Sequence, residues 1–417
     1  MRIAIITSEF PLVSETFIID HVISLMDRGH DVTIFASKIH EDCPHEVVAQ
    51  RGLMRFVRPI DPCYSHNIFV RMIRRIKMLL TESWRNPALT IRSLNPRLFG
   101  RAAFILSGFA CVRGFADSGQ FDIVHCHFGW SGALGARLKK AGAIDAPLIV
   151  TFHGSDVNTS WGINLLGDRE FLFKNADWFT ANTNFTRKQA IELGGPVDRF
   201  SIWHMGVDLN RFQFKERRLT DNEPIRLLTV GRLVENKGID FSIRALKLID
   251  SRRAIEFHVV GDGPLRGPLS RLANEIGSGK TVIFHGSCSS AQVRKHLDKA
   301  HLFILAAVTS ADGAQEGQSV ALIEAQACGL PILSTFHGGI PEAVVNGASG
   351  FLVPERDIDS LSDRLRYLIE NSEEWSAMGI AGRRFVEESF SLQSCSDKIT
   401  NIYGSLISEH DRTAAHR

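Results

Sequence analysis

The chain has 417 residues, a net charge of +2, 44% hydrophobic and 23% charged residues. That length calls for two or three domains, and the composition excludes wholesale disorder, collagen-like repeats and coiled-coil rods. The near-neutral balance gives no case for nucleic-acid binding, and seven scattered cysteines without a Cys-x-x-Cys pair read as reduced thiols rather than disulfides or a zinc site.

The first segment, Met1-Arg2-Ile3-Ala4-Ile5-Ile6-Thr7, turns polar at once, so no signal peptide is expected. No apolar run reaches the length of about 18 residues that a membrane span needs. Together these predict a cytoplasmic protein. Ile3–Ile6 reads as a strand broken by Phe10-Pro11, Thr16–Arg28 as a helix closed by Gly29, and Asp31–Ala36 as the next strand. Strand, helix, strand within 40 residues is a βαβ unit and implies a parallel sheet covered on both faces. Ile123–Cys126 and Leu148–Thr151 are further buried strands. A polar stretch over Trp203–Glu223 marks the linker. A second alternating series follows: strands at Ile225–Val230, Ile255–Val260, Val282–His285, Leu302–Leu305 and Pro331–Ser334, with helices at Gly238–Leu248, Leu265–Ile276, Ala291–Lys299 and Val320–Cys328. Three amphipathic helices are expected from Asp357 to about His410, and a frayed tail from Asp411. The fold class is therefore α/β, with two doubly wound Rossmann-like domains, 1–206 and 207–389.

One segment departs from this pattern. His66–Arg113 carries nine cations (Arg71, Arg74, Arg75, Lys77, Arg85, Arg92, Arg97, Arg101 and Arg113) against Glu82 alone. Phe69, Ile73, Ile76, Leu79 and Leu80 lie among them at helical spacing. A basic amphipathic helix can lie on an anionic membrane surface, and the alternative is an ordinary solvated basic face.

Two open parallel sheets bind ligands beyond the carboxyl ends of their strands, so two such domains face to face enclose a cleft. A dinucleotide is excluded by its missing fingerprint: Thr7-Ser8-Glu9-Phe10-Pro11 follows the first strand, and Arg266 holds the third glycine position after Gly261-Asp262-Gly263-Pro264. A Walker A loop is absent as well. The second series holds the informative residues. Gly231-Arg232-Leu233-Val234-Glu235-Asn236-Lys237-Gly238 supplies two cations and a glycine at a strand-to-helix junction, which suits a diphosphate. Glu316-Gly317-Gln318-Ser319-Val320 feeds a helix in which Glu324 sits inside an apolar run. A carboxylate there needs donors, and the two hydroxyls of a ribose would supply them. Glu316 lies eight residues earlier, about 12 Å away if the stretch were all helix. Gly338-Gly339-Ile340-Pro341-Glu342 is another glycine loop opening a helix.

These motifs, in this order over about 130 residues, resemble the retaining group 1 glycosyltransferases of the GT-B fold. Ser8-Glu9-Phe10-Pro11, Ser14-Glu15-Thr16-Phe17-Ile18, His125-Cys126-His127-Phe128-Gly129 and Thr151-Phe152-His153-Gly154-Ser155-Asp156 are similar to the colanic acid and amylovoran branch. The resemblance implies that Arg232 and Lys237 hold the donor diphosphate, Glu324 the ribose, and Glu316 the donor sugar, with Gly317, Gln318, Ser319, Val320, Gly261 and Ser287 completing the donor site. It implies His153 at the reaction centre beside Glu316, Arg232 and Lys237. Ser14, Glu15, Asp156 and His127 are weaker acceptor-side candidates. Relatives carry two glycines in the first N-terminal loop, where Ser14-Glu15-Thr16 stands here. The C-terminal helix, about 390–410, is expected to cross back to the first domain.

The implied partners are a nucleotide-sugar donor and a polyprenyl-diphosphate-linked saccharide, with no cofactor and no metal. The only Asp-x-Asp triplet, Asp357-Ile358-Asp359, reads as a helix cap. His125 and His127 share one strand face, but no third ligand has metal spacing nearby; His125 reads as packed and His127 as cleft lining. Trp161 and Phe171–Trp178 read equally as core or as acceptor-side surface. The competing functions are a non-catalytic relative that binds nucleotide sugar or a partner, a nucleotide-sugar 2-epimerase, and a phosphorylase, which would need a much longer chain.

Overall fold

A computed structural model of the chain describes residues 1–12, 14–41, 45–275 and 280–415. Its strands are β1 (Arg2–Phe10), β2 (Asp31–Ile39), β3 (Val57–Pro59), β4 (Ile123–His127), β5 (Leu148–Phe152), β6 (Trp178–Ala181), β7 (Phe200–Ile202), β8 (Ile225–Val230), β9 (Ile255–Val260), β10 (Lys280–Gly286), β11 (Leu302–Leu305), β12 (Ile332–Thr335) and β13 (Gly350–Val353). They form two sheets, in the orders β3-β2-β1-β4-β5-β6-β7 and β10-β9-β8-β11-β12-β13. Every pairing is parallel.

Continuous apolar runs explain this arrangement. Ile3, Ala4, Ile5 and Ile6 of β1 are all buried, as is the whole of β4 and β5, because each sheet is covered on both faces by helices. The order reverses beside β1 in the first sheet and beside β8 in the second. Loops leaving these reversal points open the crevice in which such sheets bind ligands. Four of the strands, β3, β6, β7 and β13, have no counterpart in the sequence reading. All four have four residues or fewer, and three of them stand at the outer end of a sheet, so they carry too little pattern to register as strands.

The linker is less exposed than its polarity predicts. Trp203, Met205, Val207 and Phe212 are buried, and Val207 pairs with Phe390 and Leu392 through its backbone. The helices Ile358–Glu370, Trp375–Ser389 and Leu392–Ala415 close the chain. The last one continues through the tail expected to fray. It returns to the first domain: Ile399, Tyr403 and Leu406 enter the core formed by Ile3, Ile5, Val22 and Ile123. Asp357 caps its helix by accepting from Ser360 N at 2.9 Å. The expected helix end at Ile276 lies outside the described residues; the described part is Arg266–Ala273. The six cysteines among the described residues are unpaired.

The basic segment folds into a helix, Ile68–Glu82, followed by four shorter ones from Pro87 to Ala116. Its apolar face points outward. Phe69, Ile73, Ile76 and Leu80 stand at i, i+4, i+7 and i+11 and are exposed, with Phe69 76%, Leu80 75% and the following Trp84 73% accessible. Two of the nine cations do not belong to the surface. Arg75 is buried on Asp61 at 2.5 Å, and Arg113 lies between Glu82 and Asp117. A buried guanidinium needs such partners, so on this helix the exposed cations beside the outward apolar face are Arg74 and Lys77.

Candidate active site and family

Loops from the carboxyl ends of both sheets meet across the crevice. On the second domain's side, the turn after β8 carries Arg232 and Lys237. Gly261 makes that turn possible. Its φ is +133°, and a Cβ there would lie 1.9 Å from Gly231 O, so only glycine lets the loops after β8 and β9 touch. Arg232 is exposed and makes no ion pair among the described residues. Lys237 Nζ donates to Glu316 Oε2 at 2.5 Å. Glu316 is 9% exposed, and its loop is fixed from below: Glu316 N donates to His337 Nε2 at 3.0 Å, and His337 Nδ1 holds Glu355 at 2.6 Å. Gly338 and Gly339 pack so closely that Cβ atoms there would strike Glu316 O and Gly317 O.

The helix that follows starts at Val320, so Glu316 precedes it and helical spacing does not relate Glu316 to Glu324. Ser319 provides no side-chain cap, leaving the first-turn N–H groups available to an anion. Gln318 is not aimed at a ligand. Its amide accepts from Met205 N at 2.9 Å and donates to Met205 O at 2.8 Å, tying the loop to the linker. Glu324 is half-buried and has no hydrogen-bonding partner among the described residues. Burial, with the charge of Asp20 added, pushes its carboxyl up to about 8, against the pull of Arg211 and Arg294. Ser287 is exposed in the loop after β10.

On the first domain's side, His153 ends β5 and is 9% exposed. Its loop is organised by Asp156, which accepts from the backbone N–H groups of Gly129 (2.8 Å), His153 (3.0 Å) and Gly154 (3.0 Å). Asp156 is fully buried, so it shapes the loop and does not face an acceptor. His127 is also corrected: it is fully buried behind His153, not lining the cleft, because β4 is covered on both faces. Ser14 is exposed. Glu15 is half-buried and faces the other domain: burial and Glu9 push its carboxyl up to about 7, against the charge of Arg232. Trp161 is exposed against Trp130, whereas Phe173 is core.

The two walls are joined. Gly317 packs on His153 O and Gly154. Asn158 Nδ2 donates to Gln315 O at 3.0 Å, and Gln189 Nε2 to Gln315 Oε1 at 2.9 Å. Glu342 caps the helix Asn184–Glu192 across the cleft, accepting from Asn184 N (2.8 Å) and Phe185 N (2.9 Å). Arg211 binds Asp20 at 2.7 Å and Ser290 at 2.9 Å, beside Glu324.

A profile described as glycosyl transferases group 1 matches residues 210–385, and one described as glycosyltransferase family 4 matches 14–211. A GDP-mannose-dependent monoacylated alpha-(1-6)-phosphatidylinositol monomannoside mannosyltransferase of Corynebacterium glutamicum is 31% identical, over 66% of this chain and 75% of its own. The chain belongs to the group 1 glycosyltransferases. The amylovoran biosynthesis glycosyltransferase AmsK of Erwinia amylovora is 27% identical to this transferase over 94% of this chain and 96% of its own. The crystal structure of Anabaena Alr3699/HepE in complex with UDP and glucose superposes with a TM-score of 0.71 at 15% identity, over 97% of this chain and all of that one. The fold is thus the GT-B arrangement expected from the motifs.

Sequence reasoning missed several residues of this glycosyltransferase's cleft. Asp20, Arg211 and Gln315 bridge the domains, as does Glu342, which the sequence offered only as the end of a glycine loop, and His21 and Tyr403 stand behind His153. His21 carried a signal. It lies on the buried stripe of its helix with Ile18, Val22 and Leu25, a polar group at a core position. It also supplies the third imidazole beside His125 and His127 that the sequence did not reveal. Those nitrogens are engaged with one another, Tyr403 and Thr151, so the group is a hydrogen-bonded chain. A second trio, His258, His285 and His296, packs half-buried between β9, β10 and the helix Ser290–Lys299.

Proposed function

We propose that this glycosyltransferase is a retaining, metal-independent enzyme. It moves a hexosyl unit from a nucleoside diphosphate sugar, a UDP- or GDP-sugar, to a lipid-linked saccharide in exopolysaccharide or lipopolysaccharide biosynthesis. One observation carries the reading: Arg232, Lys237, Glu316, Glu324 and an uncapped helix start gather at the carboxyl edge of the second sheet, opposite His153. Transfer from such a donor places extra negative charge on the departing phosphate. Arg232, Lys237 and the N–H groups at Val320 can stabilise it where water is scarce, one well-aimed donor being worth about 2.7–4 kcal/mol. Glu324, without a hydrogen-bonding partner among the described residues, suits the paired hydroxyls of a ribose.

The relatives support the donor and acceptor classes: GDP-mannose dependence and a phosphatidylinositol-based acceptor for the corynebacterial enzyme, amylovoran biosynthesis for AmsK, and bound UDP with glucose for HepE. Retention proceeds by same-face attack, the leaving phosphate accepting the acceptor's proton. A trapped glycosyl adduct on Glu316 would overturn this in favour of double displacement.

A thermal-shift panel of UDP-, GDP- and ADP-sugars with and without EDTA tests the donor reading. At 100 times its Kd the true donor should stabilise the protein by about 2.7 kcal/mol, with the same shift in EDTA. A shift abolished by EDTA would defeat metal independence, and no shift with any nucleotide would defeat the donor reading. Release of product from nucleotide sugar without acceptor would indicate an epimerase.

The acceptor reading, a polyprenyl-diphosphate-linked saccharide, places the enzyme on the cytoplasmic face of a membrane. The outward face of Ile68–Glu82 fits an anionic lipid surface, with Phe69, Ile73, Ile76 and Leu80 ringed by Arg74 and Lys77. Arg74→Glu with Lys77→Glu should release the protein from anionic vesicles while leaving its stability within about 0.5 kcal/mol. Unchanged partitioning would return the helix to solvent. Arg75, buried on Asp61, is left intact in this experiment.

A further inference from the structure

Behind His153 a hydrogen-bonded chain runs through the first domain into the C-terminal helix. His153 Nε2 meets His127 Nδ1 at 3.0 Å, and His127 Nε2 meets His21 Nδ1 at 3.0 Å. His21 Nε2 meets the Tyr403 hydroxyl at 3.3 Å. The same hydroxyl is bonded to His125 Nδ1, and His125 Nε2 meets Thr151 Oγ1 at 2.6 Å. Thr151 continues to Thr180 at 2.5 Å. Apart from His153, every member is at most 3% exposed. His153 Nδ1 is the one ring nitrogen of the four histidines without a protein partner among the described residues, and His153 alone of the four keeps appreciable exposure, 9%.

The proton count in this chain is tightly constrained. Burial pushes the titration of His21, His125 and His153 well below the ordinary range and that of His127 down to about 3, so all four rings are neutral. A neutral imidazole has one N–H, donor on one side and acceptor on the other. A direct nitrogen–nitrogen contact holds one hydrogen, since two would clash and none would repel. The Tyr403 hydroxyl donates one proton and accepts another. If it donates to His21 Nε2, then His21, His127 and His153 all carry their hydrogen on Nδ1, and His125 must donate from Nδ1 to the phenol oxygen. If it donates to His125 Nδ1, all four carry it on Nε2. No mixed arrangement satisfies every link, and a broken link in a dry interior is costly.

We propose that Tyr403 couples the tautomers of His125, His21, His127 and His153, so that one proton arrangement shared with the C-terminal helix decides whether His153 Nδ1 donates to or accepts from the substrate. Tyr403 is then a positioning residue acting through His153. Its importance for transfer rests on the proposed role of His153 beside the donor sugar; the coupling itself does not. The helix Leu392–Ala415 thereby contributes to the chemistry of a wall it only backs.

The tautomers are read directly by nitrogen-15 resonances of histidine-labelled full-length protein, without substrate. All four buried rings should carry hydrogen on the same nitrogen, Nδ1 or Nε2; any mixture among the four overturns the proposal. Tyr403→Phe, which keeps the ring, should free His125 from the other three and leave His153 as a mixture of tautomers. A single unchanged His153 tautomer in that variant also overturns it. Kinetically, Tyr403→Phe should lower kcat about tenfold with donor KM within about twofold. In a His153→Ala background the same change should cost less than about twofold. Additive losses would show that Tyr403 acts by packing alone. Failure of nucleotide-sugar binding would instead defeat the donor reading and leave the tautomer result standing.

Discussion

On the wall built from the second sheet, Lys237 and Glu316 hold each other, and among the described residues Arg232 has no ion pair and Glu324 no hydrogen-bonding partner. On the wall built from the first sheet, His153 is the outer end of a chain of neutral groups whose other nitrogens and hydroxyls are engaged. The first kind of wall can answer a change of charge in the substrate. The second can hold direction and hydrogen bonding but does not answer with charge, because burial keeps its imidazoles neutral. A nucleotide sugar needs both, a charged answer at the phosphates and a fixed polar contact at the sugar.

The comparison is broken most sharply at Lys237. Lys237→Ala removes the cation and strands Glu316, and kcat should fall about 10²–10³-fold. Saturating steady-state rates with an authentic acceptor check this. Full kcat would show that the second wall does not stabilise the leaving group. His153→Ala should cost less, about ten- to a hundredfold in kcat, with donor affinity measured by calorimetry nearly unchanged, since no charge is lost. A large loss of donor affinity in that variant would erase the distinction between the walls.

The second wall was the more legible one in the sequence, and the reason is physical. The candidate anion-binding loops are local: Arg232 and Lys237 lie five residues apart at one strand end, and Glu316 to Val320 is one loop. The two sheets were legible because buried parallel strands such as Ile123–Cys126 are short unbroken apolar runs. The first wall's chain draws on residues up to 382 positions apart, His21 and Tyr403. No spacing rule connects them. His127 and Asp156 were read as cleft residues because the strand and loop that hold them reach the cleft, yet their side chains turn inward. The domain bridges at Gln315, Glu342 and Arg211 were invisible for the same reason as Tyr403: each meets its partner only when both domains are in place.

The smallest effect separates the walls by pH. Glu324 has a folded value of about 8 against an ordinary 4.5. The folded state therefore keeps a proton that the unfolded chain loses above pH 4.5, and stability falls as pH rises from about 4.5 to about 8. The buried histidines act with opposite sign. Their folded values lie below the ordinary 6.5, so the unfolded chain takes up protons that the folded state refuses, and stability is lost as pH falls below about 6.5. Acid thus strains the imidazoles of the first wall, and base strains Glu324 of the second, with Glu15 of the first, held up to about 7, adding to the basic limb. Glu324→Gln removes its own share of that basic limb and leaves the acid limb in place. It should match the native protein in unfolding free energy near pH 4.5 and exceed it at pH 8 by about 2 kcal/mol, read as a raised melting temperature and less than the full shift implies because the group is partly exposed. The same variant should weaken donor binding about tenfold above pH 8, where Glu324 is ionised and the amide lacks the charge that strengthens a bond from a ribose hydroxyl. Melting curves that stay parallel across this range would mean that Glu324 is already satisfied, and with it would go the argument that the second wall holds a carboxylate in wait for a ribose.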